Sequence, residues 1–303
     1  MGLSLLAGGL AAAADSAGNS IQQPSAQKRF VRTYKASAYV SLFSIPLLSR
    51  SDVGGGFAIV QESAGAASHT VKLQFLSGST PERAHGLNRL GFIEENVEQR
   101  DREAPVVEYF GFMTASGEES LSEAKAALAS NPRDSVMYVA AEGSATGNAT
   151  RYSVRHILLP ASYRWSDSDK LLTGIQPYFH TADARYQERH IAESEHVGTF
   201  LFSVRQAILS VRGETDARFV HNGKTFHLHT TKVNDAKAGE ELRRAGLVAS
   251  ASTVMRLKGA IQGDNSNKET EFQLWFDAAS ANPLPLRFEF RPKSYLKLVF
   301  QAQ

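Results

Sequence analysis

Thr270 to Gln303 reads TEFQLWFDAASANPLPLRFEFRPKSYLKLVFQAQ, and its parity decides the fold. Phe272, Leu274 and Phe276 are apolar, as are Leu286, Phe288 and Phe290, and then Leu296, Leu298 and Phe300. Glu271, Gln273, Arg287, Glu289, Arg291, Lys297 and Gln301 fall between them. A side-chain period of two predicts three strands, each with one buried and one wet face. The breaks come at Asn282-Pro283 and at Pro292-Lys293-Ser294, where proline has no N–H to give a ladder. One residue defies the pattern. Trp275 places a large ring on the polar face, where it needs either a cover or a ligand.

Outward from this stretch, the same alternation recurs. Tyr34, Ala36, Ala38, Val40 and Leu42 share a parity, and Val71, Leu73 and Phe75 alternate with Lys72 and Gln74. Asp52 to Gly56 predicts a turn before a strand over Phe57 to Gln61. Further strands are expected over Val106 to Met113, Ser135 to Ala140 and Tyr152 to Leu159, with a turn at Gly143 to Gly147. Asn222-Gly223 predicts a hairpin between Arg218-Phe219-Val220 and Thr225 to Thr231. Between Pro81 and Glu103 the spacing is mixed, and Val97 is the one apolar residue in the charged run from Glu94.

Helices are few. Val197, Phe200, Leu201, Val204, Ile208 and Val211 recur at three and four, with Glu193 and Glu195 as an acidic lead-in suited to a helix N-terminus. Ser116-Gly117-Glu118-Glu119 fits a capping box before a short helix carrying Leu121, Ala124 and Leu128. Ala236 to Gly246 reads as a helical or looped excursion. The expected class is α+β, mostly antiparallel β: a curved sheet or half-barrel with a few covering helices, as one large unit over 29–303 or two lobes dividing near 150–190.

Composition bounds the function. The chain has 303 residues, 42% of them apolar, a net charge of +2 with both signs interspersed, and no Lys/Arg-rich run. That argues against a nucleic-acid partner and a polybasic membrane surface. Cysteine is absent, which excludes disulfides, thiol chemistry and a lipidated N-terminal cysteine. LSLLAGGLAAAA at 3–14 reads as an apolar core and cleavage site, so 1–14 is an expected signal peptide and 15–28 a polar linker. No basic residue precedes that core. The expected location is the periplasm of a Gram-negative bacterium, with no transmembrane span in the mature chain.

Chemistry-bearing motifs are sparse. His227 and His229 sit at i and i+2, on one strand face, with His221 across the hairpin turn; three imidazoles could hold a metal and support a metal-assisted hydrolase. Phe226 and Leu228 supply the apolar face of that strand, which leaves the histidines on the other, and no carboxylate stands at ligand spacing along it. His180, Asp183, His190, Glu193, Glu195 and His196 read as a solvated entry to the helix rather than a zinc motif. Gly54-Gly55-Gly56 lacks the Lys-Ser/Thr of a phosphate cradle and suits a tight turn or bulge. Ala145 stands where a nucleophile elbow needs serine. No catalytic set emerges, and no cofactor is implied.

Phe43-Ser44-Ile45-Pro46 after an opening strand, the apolar helix ending in Val204-Arg205, and the closing Phe-Gln-Leu-Trp-Phe-Asp, Leu284-Pro285-Leu286-Arg287 and Tyr295-Leu296-Lys297-Leu298 carry a resemblance. Over Tyr34 to Gln303 the chain resembles a family of exported bacterial proteins of unknown function whose β half-barrel is like that of the outer-membrane lipoprotein carriers. The stretch from Pro81 to Leu128 is longer and more charged than in that pattern. The resemblance implies a half-barrel and an envelope location, and suggests a lipid- or acyl-binding role without catalytic residues. The expected protein is therefore non-enzymatic and binds an apolar ligand or an envelope partner. Phe200, Leu201 and Val204 on the helix and Trp275, Phe288 and Phe290 on the sheet are the candidate groove residues.

Overall fold

A computed structural model describes residues 27–42, 45–65, 68–100, 105–115, 135–146, 149–168, 172–173, 190–194, 198–221, 224–264, 266, 268–293 and 295–303. The expected signal peptide, the first twelve linker residues and the expected helix after Ser116 lie outside them.

The N-terminal strands are β1 (Gln27–Leu42), β2 (Ile45–Ala64), β3 (Ser68–Ser79), β4 (Leu90–Arg100), β5 (Val106–Thr114), β6 (Ser135–Thr146), β7 (Ala149–Pro160) and β8 (His190–Ser194). Helix α1 (Phe200–Leu209) follows, then β9 (Glu214–His221), β10 (Lys224–Asn234) and helix α2 (Ala236–Arg244). β11 (Val254–Gly263), β12 (Glu269–Asp277), β13 (Arg287–Lys293) and β14 (Leu296–Ala302) close the chain. The 14 strands of the described residues form one sheet in the order β8-β7-β6-β5-β4-β3-β2-β1-β14-β13-β12-β11-β10-β9, and its strand pairs are antiparallel. Two meanders are thus joined through the β1–β14 pair, where Tyr34 faces Ala302 and Ala36 faces Phe300. The 150–190 region falls before and within β8, yet a single sheet runs through both halves.

The sheet does not close, since β8 and β9 are its two ends, but it must curl strongly. α1 touches β4 and β3 on one arm and β9 and β10 on the other. β4 and β9 are nine strand steps apart, about 43 Å in a flat sheet at ~4.8 Å per step. A helix about 10–12 Å across reaches both only if the sheet wraps around it. Its inner face then carries the three C-terminal rows as expected, except Leu286, which packs with Trp275 and Leu242 on the outer side. Leu274 and Phe300 are buried, and Phe288 and Leu298 pack against the same core.

Two expected turns are strand for all or most of their length. β2 runs unbroken through Asp52 to Gly56, with a register shift opposite Ala36/Ala38 and Asp52 at φ 54°. The glycines mark this bulge and a close approach, not a chain reversal: a Cβ on Gly54 would lie 2.1 Å from Gly78 O, and one on Gly55 2.4 Å from the Trp165 ring. Gly143 lies inside β6, which reaches Thr146 before the reversal into β7. The charged run from Glu94 is β4, paired along its length with β3 and β5.

The outer face has its own covers. Over the N-terminal arm, Leu76, Leu90, Phe92, Phe112, Tyr138 and Ile157 form a core under Trp165, whose Nε1 donates to Thr80 Oγ1 at 3.3 Å. Over the C-terminal arm lies α2, capped by Asp235, whose side chain accepts from Ala238 N at 3.1 Å.

Candidate functional site

α1 is the element that lies inside the curl, and what positions it is polar. Its first-turn amides are met by Glu95 of β4, a carboxylate only 1% exposed. Thr199 Oγ1 donates to Glu95 at 2.7 Å, Leu201 N at 2.8 Å and Phe202 N at 2.6 Å. A helix leaves its first N–H groups unpaired and carries partial positive charge there, so an anion suits the place. Burial pushes the Glu95 carboxyl up to about 7, against the hydrogen bonds from Thr199, Leu201 and Phe202 that pull it down.

Of the expected acidic lead-in, Glu195 lies outside the described residues. Glu193 belongs to β8, the helix has no acid in its first turn, and the cap comes from a residue 104 positions before Thr199. At the other end Lys232 of β10 donates from Nζ to Ile208 O at 3.1 Å and to Ser210 O, matching the negative pole. Midway, Arg205 pairs with Glu62 of β2 at 2.5 Å and reaches Asn282 Oδ1 at 3.3 Å. The helix is therefore strapped to both arms of the sheet.

α1 is apolar nearly all round, yet only Ser203, Ala207 and Ile208 are fully buried. Leu201 and Phe202 pack on the cluster of Tyr34, Val60, Leu73, Val97 and Phe300; Val204 packs with Leu257, Leu274 and Phe276. Phe200 lies 5.2 Å from Phe219 and 6.2 Å from Phe272, ring centroid to centroid. Phe288 stacks on Phe300 at 4.3 Å, and Phe290 faces Phe272 and Leu298 across its two ladders. Five of the six expected groove residues thus lie on the inner side, half-buried.

Trp275 does not join them. It sits on the outer face, 5% exposed, under Ala238 and Leu242 of α2. Its Nε1 donates to Asp235 Oδ2 at 3.0 Å, and Arg287 lies 5.1 Å from its ring centroid. The ring that defied the alternation has a protein cover.

The three histidines are not brought together either. His227 and His229 share the outer face of β10 with Arg218 and Asp216 across the ladder, whereas His221 belongs with Phe226 on the other face. Carboxylates do meet the pair, but separately: His229 Nδ1 lies 2.8 Å from Asp216 and His227 Nε2 3.0 Å from Asp264. Strand β9 supplies Asp216 and the turn after β11 supplies Asp264, which is why spacing along β10 did not show them. Among the described residues no group of three or more His, Cys, Asp or Glu is placed to hold a metal ion. Of the second His/acid cluster, only His190 and Glu193 are described, on β8. Elsewhere, a cleft of about 310 Å³ lined by Arg32, Thr33, Leu247, Leu286 and Gln303 opens at the far end of β1.

Comparisons with models of protein families and with curated proteins find no match for this sequence. Among solved structures, the chain is similar to a beta-barrel-like protein of a domain of unknown function, DUF1849, from Brucella abortus, at 6% identity and a TM-score of 0.46, with 93% of this chain and 98% of that one covered.

Proposed function

We propose that the protein is a non-enzymatic component of the cell envelope that holds an apolar ligand, a lipid or acyl chain, against the inner face of the sheet beside α1. The observation that carries this is the half-buried state of that surface. Phe200, Leu201, Phe202 and Val204 on α1, and Phe30, Phe75, Phe288 and Leu298 on the sheet, are packed on the core without being enclosed by it. A helix apolar on all sides is ordinarily buried on all sides. The resemblance to exported carrier-like half-barrels points the same way.

Magnitude sets a condition. A chain of about sixteen carbons gains ~0.8 kcal/mol per covered methylene, and association costs at least ~4 kcal/mol. Micromolar binding therefore requires most of the chain to be covered by the half-buried residues. The polar ties at both ends of α1 favour a second reading, in which the helix is a fixed strut and the protein is a structural envelope component. Native mass spectrometry of protein purified from envelopes, with titration of a fluorescent fatty-acid analogue, separates the two. Bound lipid and saturable probe binding, weakened by Phe202→Asp, are expected; protein free of lipid and inert to the probe refutes the ligand reading.

A further inference from the structure

The apolar track on the inner face does not stop at the core. Pairing carries it outward along β1, β14, β13 and β2: Ala36 faces Phe300, Ala38 faces Leu298, and Val40 faces both Leu296 and Leu48. Burial falls along this path, from Phe300 at 8% exposed to Leu48 at 55%. On the other side of β1 from Leu48, Tyr295 is 53% exposed and its carbonyl accepts from Ser41 N at 2.9 Å. Tyr39, 39% exposed, holds Lys297 over its ring at 5.0 Å.

Not every cation at this end makes an ion pair. Asp52 is taken by Arg83, Glu82 by Arg164, and Glu289 by Arg287 and Lys297. Arg50, which meets the His85 ring, and exposed Arg291 face no carboxylate among the described residues. Exposed apolar and tyrosine side chains beside arginines that make no ion pair are a combination that favours a bilayer interface: the apolar groups enter the acyl boundary, the phenols sit at headgroup level, and the cations face anionic lipid.

We infer that this end of the sheet, with Leu48 and Tyr295 at its tip and Tyr39, Arg50, Arg291 and Lys297 around it, docks on a bilayer surface bearing anionic headgroups, where an acyl chain passes onto the inner track. The passage rests on the apolar-ligand reading above; the docking does not. Leu48, Tyr295 and Arg291 are exposed and Arg50 is half-exposed, and thermal unfolding of each variant checks that folding is spared.

The test is flotation of the full chain with phosphatidylcholine vesicles, alone or with roughly one-third phosphatidylglycerol, at low salt and at about 0.5 M salt. Association with the anionic vesicles, reduced by salt, is expected. Leu48→Asp with Tyr295→Ser should weaken it at least about tenfold, and Arg50→Glu with Arg291→Glu should weaken it roughly fivefold or more on anionic vesicles only. All chains carry the same N-terminus, so the difference between them reads the rim.

The inference falls if the unsubstituted chain does not float, if Leu48→Asp with Tyr295→Ser floats as well as it does, or if those changes instead dissolve a dimer of this chain. The same variant should keep the fatty-acid probe. Probe binding absent from every chain refutes the ligand reading, while rim-dependent flotation in the same samples would still uphold the docking.

Discussion

Replacing Glu95 by glutamine tests the physical account of α1. The carboxyl is buried on β4 and ionises near 7 in the folded chain against an ordinary 4.5. Between those values the folded chain keeps a proton that the unfolded chain has released, so folding takes up a proton. Glu95 therefore contributes most below about pH 4.5, and its contribution is lost as pH rises through 7. A shift of that size corresponds to about 3 kcal/mol across the window. Glu95→Gln removes the titration while keeping one acceptor oxygen for the helix amides. Denaturant unfolding of both proteins from pH 4 to 8 should show curves that converge or cross, their difference changing by ~3 kcal/mol with the wild type losing more. Glu95→Ala should cost about 3–5 kcal/mol at pH 6, because it leaves Leu201 N and Phe202 N buried without an acceptor. Parallel curves for wild type and Glu95→Gln would refute the reasoning, since they would mean that Glu95 is solvated in the folded protein.

Asp235 gives the opposite sign. Burial raises its carboxyl, but the bonds from Trp275 and Ala238 and the charge of Arg256 outweigh burial and leave it below its ordinary value of 3.8. Its stabilising contribution is present above that value and lost as pH falls through the folded one, so Trp275 fluorescence should report loosening of α2 under strong acid, a transition that Asp235→Asn blunts. Gly55→Val should cost about 2–3 kcal/mol, because the new side chain meets the Trp165 ring and the Tyr34 carbonyl; quenching studies should find that indole more exposed.

The C-terminal strands were legible because alternation reports the face of a residue directly, and Leu274, Phe288 and Phe300 obey it. Trp275 shows where that logic stops. Parity correctly said that its ring needed a cover, but α2 begins forty residues earlier at Asp235, and no local pattern links a cap to a tryptophan on another strand. The glycines at 54–56 misled for a related reason. Glycine marks a reversal and a close approach alike, and only the position of Trp165 distinguishes them.

Glu95 was the larger omission, and a signal for it existed. Ile93, Glu95 and Val97 share one parity, and Glu94, Asn96 and Glu98 the other. Had that run been taken as a strand, it would have put a single carboxylate among inward apolar residues. A charge in that place needs a buried partner, and an apolar helix with no acid in its own first turn is one of few elements able to supply it. Lys232 follows the same rule on β10, inward with Leu228 and Thr230 and matched to the opposite pole. Glu62 on β2, inward with Val60 and paired with Arg205, is a third, so these violations of inward apolarity are groups that hold α1. Apolar contact leaves Phe200, Leu201, Phe202 and Val204 only half-buried, so polar ties from the sheet, rather than full burial of the helix, fix where α1 sits in the curl.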